Sequence, residues 1–198
     1  TYVAKSMEEV NQGNVLFGIV HEIGHVFDVK DGPWNWEPEF FANLKMVYAL
    51  EKGRLMVEMG GVKYDYADPK GRRIDEYYRK VAKDAGFEED TPLPEWNANG
   101  DAQQDKFMRL IAEIGWEPFR QTFRDFLRMP KKSVPSEQGT KLAVFIHLLS
   151  KHSGKDLSPR FEAWGFPVIR PEGAAKDMDA AAFSDAIRKG AGLLLSTS

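Results

Sequence analysis

His21-Glu22-Ile23-Gly24-His25 spells H-E-x-x-H. On a helix, positions i and i+4 lie about 40° apart, one turn along the same face. Two imidazoles so placed can bind one metal ion. Glu22 then sits beside the ion rather than on it, which suits a general base. The flanking residues predict that helix. Val15, Leu16, Ile19, Val20, Ile23, Val26 and Phe27 recur at helical spacing between about 14 and 28. So few of these residues want water that the helix is expected to be buried on most sides. Asp31-Gly32-Pro33 breaks it.

A second helix is predicted from Pro38, a residue tolerated in a first turn, to about Glu51, with Gly53 ending it. It carries the best candidate for a third metal ligand. Catalytic zinc usually takes three protein ligands and leaves one position for water. Glu39 follows His25 by 14 residues and stands in the first turn of the second helix. A tight turn through 31–33 could fold that helix back and bring the carboxylate to the metal. Asn43, at i+4 from Glu39, shares its face and could hydrogen-bond a ligand and fix its orientation. Glu37 and Asp31 are rivals for the third position. Glu37 precedes a proline and is pushed out of helical geometry. Asp31 stands where the metzincin pattern puts its last ligand, but that pattern needs a glycine at the position occupied by Asp28. Candidate oxyanion donors are Tyr64, Tyr66, His147 and the other tyrosines, and the sequence does not choose among them.

Downstream, residues 54–66 read as two short strands about Gly60-Gly61. Further helices are predicted near 74–84, 101–114, 116–128, 140–152 and 158–164, with a weak one near 179–189. Asp101 and Gln104 have capping-box spacing. His147 reads as a satisfied core residue, and His152 as a favourable charge near a helix end. Trp34 and Trp36 read as aromatic packing around the ligand helix, with a sugar-binding cleft as the alternative.

The 198 residues are 42% apolar and 29% charged, enough for one full-sized core or a domain with a small appendage. A formal charge of −3 with both signs dispersed recommends no nucleic acid. The lack of cysteine removes disulfides, thiolate nucleophiles and thiolate zinc ligands. No apolar run approaches the length of a membrane span. The chain starts at Thr1 without a signal-peptide pattern and reads as a piece of something longer.

With these residues laid out, the chain resembles the enhancin-like zinc metallopeptidases, the viral enhancins and the bacterial peptidases that cleave mucin-like glycoproteins. The family pattern is HExGH, a variable gap, then a glutamate opening E-x-x-x-N. Here it reads His21-Glu22-Ile23-Gly24-His25, then Glu39-Phe40-Phe41-Ala42-Asn43. Ile114-Gly115-Trp116 with Phe119 and Phe123 is similar to the family's helical segment. So is Leu149-Ser150-Lys151 through Asp156-Leu157 to Phe161-Glu162-Ala163-Trp164-Gly165-Phe166-Pro167-Val168.

The resemblance implies a gluzincin: a mainly α, α+β zincin-like fold with a zinc-binding helix, a C-terminal helical subdomain and a small β-hairpin near 54–66. Residues 1–170 would form the metallopeptidase domain, lacking an upstream β subdomain that aligns substrate, and 171–198 a weakly helical tail. It implies Zn2+ held by His21, His25 and Glu39, with Glu22 as catalytic base. The expected activity is endopeptidase cleavage of mucin-like O-glycosylated proteins, outside the cell or at its surface. The alternative is a non-catalytic metallopeptidase-like module that binds glycoprotein or a partner protein.

Overall fold

The computed structural model describes residues 8, 11, 14–27, 36–95 and 100–195. The chain is mainly α-helical, with one small sheet. It divides into two compact units. The first comprises 1–29, 37–89 and 100–108, and the second 30–36, 90–99 and 109–198.

In the first unit, β1 (Asn14–Leu16) leads directly into α1 (Phe17–Val26). The helical periodicity thus begins three residues later than its apolar pattern suggests. The first three of those residues pair parallel with β2 (Met56–Met59), Asn14 opposite Met56 and Leu16 opposite Glu58. A parallel pair needs a crossover connection, and α1 together with α2 (Pro38–Gly53) supplies it. The antiparallel partner of β2 is β3 (Val62–Asp65). Gly60 and Gly61, with φ of 58° and 77°, form the two-residue turn between them. Both left-handed positions go to the residue type that adopts them without strain. The predicted hairpin is therefore present, and β1 widens it to three strands.

Phe40, Phe41, Ala42, Leu44, Met46, Val47 and Leu50 bury almost the whole girth of α2. The Phe40 ring meets those of Phe41 and Phe107 at 4.9 and 4.6 Å. The helix runs through Gly53, and Arg54 is the left-handed cap (φ 50°). Gly53 serves space instead: a Cβ there would lie 2.9 Å from Leu55 Cγ. Then come α3 (Asp75–Asp84) and the start of α4 (Gly100–Ile114). Gln104 does not close the predicted capping box. Its amide is fully buried, with neither polar atom partnered, while Lys106 Nζ donates to Glu89 O at 3.0 Å.

The second unit is organised on α6 (Gln138–Ser153), whose Leu142, Val144, Phe145, Leu148 and Leu149 are fully buried. Against it lies α5 (Glu117–Arg128), presenting Phe119, Thr122 and Phe126 inward. The rings of Trp36, Phe119 and Phe123 surround Phe145 at 4.8, 6.1 and 6.0 Å. Trp36 is 1% exposed and packs on Phe145 of α6, and Trp34 lies outside the described residues. The short α7 (Ser158–Ala163) ends in a locked aromatic turn. Phe161 contacts Trp164 and Phe166, and Trp164 O accepts from Leu93 N–H at 2.9 Å. Gly165 (φ 86°) is required there, because a Cβ would stand 2.5 Å from Leu93 O. Helix α8 (Ala180–Leu195) is longer than its weak pattern predicts. Ser184 Oγ donates to Ser133 O at 2.7 Å, and Phe183 and Ile187 are buried. Among the described residues, no helix is long and apolar enough to cross a membrane.

Candidate metal centre

Gly24 is the one buried residue of α1. A Cβ on it would lie 2.7 Å from Ala42 O and 3.0 Å from Ala42 Cα. The absent side chain lets the two helix backbones touch, and that contact sets the site. It places one turn of α1 (His21, His25) against the first two turns of α2 (Glu39, Asn43). Here the structure corrects the expectation of a helix buried on most sides. Ile19, Ile23, Val26 and Phe27 are 46, 47, 78 and 67% exposed. Periodicity identifies an apolar stripe, but it does not say what covers that stripe.

The three ligand atoms converge. His21 Nε2 lies 3.1 Å from Glu39 Oε2 and 3.1 Å from His25 Nε2, and His25 Nε2 lies 3.4 Å from Glu39 Oε1. Four ligands placed tetrahedrally around zinc at about 2.0–2.2 Å stand about 3.3–3.6 Å apart. The observed edges agree within a few tenths of an ångström, so this donor set fits zinc without rearrangement. It is the one group of three or more potential ligands among the described residues.

The other nitrogen of His21 fixes the tautomer. Asn43 Oδ1 can only accept, so His21 Nδ1–H donates to it at 2.8 Å. In the neutral ring Nε2 is then a bare lone pair turned toward Glu39 and His25. Phe17 stacks on the His21 ring, centroids 5.8 Å apart, and limits its rotation from the other side. Access is retained, because the side chains of His25 and Glu39 are 27 and 68% exposed. Glu22, between the histidines in sequence, is exposed on α1.

Of the rivals, Glu37 is the N-cap of α2 and stands outside the ligand group, and Asp31 lies outside the described residues. Two of the candidate oxyanion donors, Tyr66 and His147, hold hydrogen bonds to residues other than the three candidate ligands. Tyr66 Oη accepts from Ile74 N–H at 3.2 Å, and burial pushes its pKa up to about 12. Tyr64 is a buried residue of β3 whose pKa burial also raises. His147 belongs to the second unit. Its Nε2–H donates to Met178 O at 2.8 Å, its ring stacks on Phe183, and burial lowers its pKa. His152 is held by Asp125 at 2.8 Å, a partner that a linear reading does not reveal. Phe17, against His21, is a further residue of the site. Its only sequence signal is its spacing of four from His21.

Residues 2–165 match the family described as peptidase M60, enhancin and enhancin-like. Among curated proteins, the TRPM8 channel-associated factor homolog of Xenopus laevis is 27% identical over 172 residues, which cover 83% of this chain and 17% of that protein. TRPM8 channel-associated factor 2 of Bos taurus is 28% identical over 156 residues, covering 77% and 15%. The homolog of Danio rerio is 28% identical over 156 residues, covering 77% and 16%. The chain therefore spans less than a fifth of the length of these relatives. No solved structure matches it.

Proposed function

The chain belongs to the peptidase M60, enhancin and enhancin-like family, and from that premise we propose that it is the metal-binding part of a zinc-dependent endopeptidase. The observation that carries this reading is the His21–His25–Glu39 geometry, with ligand–ligand edges of 3.1 to 3.4 Å. Zinc bound there supplies Lewis acidity and lowers the pKa of a bound water toward neutrality. The chain's residues do the remainder. His21, His25 and Glu39 hold the ion, and Asn43 keeps the His21 lone pair aimed at it. Glu22 takes the proton of the attacking water and returns it to the leaving amine. Its exposure on α1 leaves it accessible to that water.

The substrates of this reading are mucin-like O-glycosylated proteins met outside the cell or at its surface, as the family resemblance implies. The exposed apolar stripe of α1 (Ile19, Ile23, Val26, Phe27) supports an additional β-containing subdomain covering it in the working enzyme. A second reading has one observation in its favour: the relatives are named channel-associated factors. In that reading this chain is a metallopeptidase-like module that binds a partner protein without cutting it.

One experiment separates the two. Zinc per chain is measured by elemental analysis for wild type and Glu39→Ala, and cleavage of a mucin-type glycoprotein for wild type and Glu22→Ala. The peptidase reading expects about one zinc in the wild type, a sharp loss in Glu39→Ala, and cleavage abolished in Glu22→Ala by about 100-fold or more. Zinc bound but no cleavage, with glycoprotein binding unchanged in Glu22→Ala, would establish the module instead. Full zinc in Glu39→Ala would remove Glu39 from the site.

A further inference from the structure

The second unit contains a cavity of about 480 Å³ with no part in the chemistry above. It lies between the C-terminal half of α6, the 154–158 loop and the 168–177 segment. Phe183 of α8 closes it. Its volume falls within the range of small-molecule sites, about 300–1,000 Å³. Ala143, Ile146 and Phe183 give it an apolar floor and are themselves 2, 2 and 5% exposed.

Charged side chains complete the lining. Four cations line the cavity: Lys151, Lys155, Arg170 and Lys176. Two are already occupied, Lys155 by Glu113 at 2.7 Å and Arg170 by Glu162 at 2.6 Å. Lys151 differs. It rises half-buried from α6 beside the apolar floor, and among the described residues no carboxylate lies within ion-pair distance of it. Among the described residues its ammonium makes one hydrogen bond, a long one of 3.4 Å to Met178 O. That oxygen already accepts the shorter bond from His147. An ammonium has three donors, so Lys151 keeps two for a ligand, in a setting where an unpaired charge is costly. Of the two acids in the lining, Asp156 accepts from Ser158 N–H at 3.0 Å. Asp177 remains, close enough for its charge to act on His147.

We propose that this cavity binds a small organic carboxylate whose apolar body, about the size of one ring, rests on Ala143, Ile146 and Phe183 while Lys151 pairs its carboxylate. Lys176, on the rim, adds attraction, and Asp177 opposes it. The site therefore discriminates by charge at one end and by apolar contact at the other.

Benzoate is the probe, with benzamide as its neutral counterpart of equal shape. Both are titrated into the full chain and followed by amide shifts of residues 143–158 and by calorimetry. The expected result is saturable benzoate binding that benzamide lacks. Lys151→Met should weaken it about tenfold, the loss of one charge-assisted contact. Asp177→Asn should tighten it several-fold by removing a repelling charge. Thermal unfolding confirms that both variants fold, and if Lys151→Met does not, the benzoate–benzamide contrast and Asp177→Asn decide alone. Equal binding of the two probes, no saturable binding by benzoate, or weakening by Asp177→Asn would overturn the proposal.

Discussion

Gly24→Ala tests whether a backbone contact, rather than any ligand, sets the metal site. The added Cβ falls 2.7 Å from Ala42 O, whereas ordinary contact begins at 3.4 Å, so relief calls for a separation of about 0.7 Å, the difference between the two. The obstacle is backbone on both sides and cannot rotate away. The histidines ride on α1 and their partners on α2, so the same displacement enters every distance between the two helices. The His21 Nδ1–Asn43 Oδ1 bond of 2.8 Å would open to about 3.5 Å, beyond good hydrogen-bond range. The Glu39 edges of 3.1 and 3.4 Å would open to about 3.8–4.1 Å, too wide for one tetrahedral ion. Disturbing a ligand's supporting contacts typically costs 10–100-fold in metal affinity, and that is the expected loss. Stability should change less. The overpacking cost of about 1–3 kcal/mol is offset by up to about 1 kcal/mol of helix propensity. Zinc affinity is read by competition with a chromogenic chelator, and Gly18→Ala is the control. It gains the same propensity on the same helix, with nothing within 4 Å of the new methyl. Wild-type zinc affinity in Gly24→Ala would refute the argument, and an equal loss in Gly18→Ala would trace the effect to the helix rather than to the contact.

Asn43→Ala should lower zinc affinity about 10–100-fold and leave the thermal midpoint of the metal-free chain nearly unchanged, because the residue acts through the His21 tautomer; a large fall in that midpoint with intact zinc binding would make it a packing residue. Phe145→Ala should destabilise the second unit by about 3–5 kcal/mol in urea unfolding, since the ring is 0% exposed and three aromatic rings lean on it. A loss under about 1 kcal/mol would mean that the site collapses around the gap. Burial holds His147 below its ordinary 6.5, so the unfolded chain binds its proton first as pH falls. Its contribution to stability is complete above pH 6.5 and drains away as pH drops through the lower folded value. Unfolding free energies at pH 7.5 and 5 should therefore differ less in His147→Gln than in wild type, and an identical difference in the two would rule the residue out as a source of acid sensitivity.

The grouping of His21, His25 and Glu39 was legible in the linear order of residues. Both histidines lie within one helical turn, where spacing alone sets their relation, and Pro38 fixes the start of the helix that carries Glu39 and Asn43. The hairpin was legible for a similar reason, since two adjacent glycines have few other uses between short apolar runs. Other features were not readable along the chain. Asn14, Val15 and Leu16 fit a helix by pattern and form a strand because β2, some forty residues later, offers them an edge. The stripe of α1 looks like core and is exposed, because periodicity describes a surface and not its partner. Asp101 and Gln104 have capping spacing, yet burial of α4 takes Gln104 out of reach of that role. His152 meets Asp125 only after two helices fold together, and the cavity beside Lys151 needs three segments to enclose it. Local geometry travels with sequence spacing. Burial, pairing across distant segments and enclosed space exist only once remote segments exclude water between them.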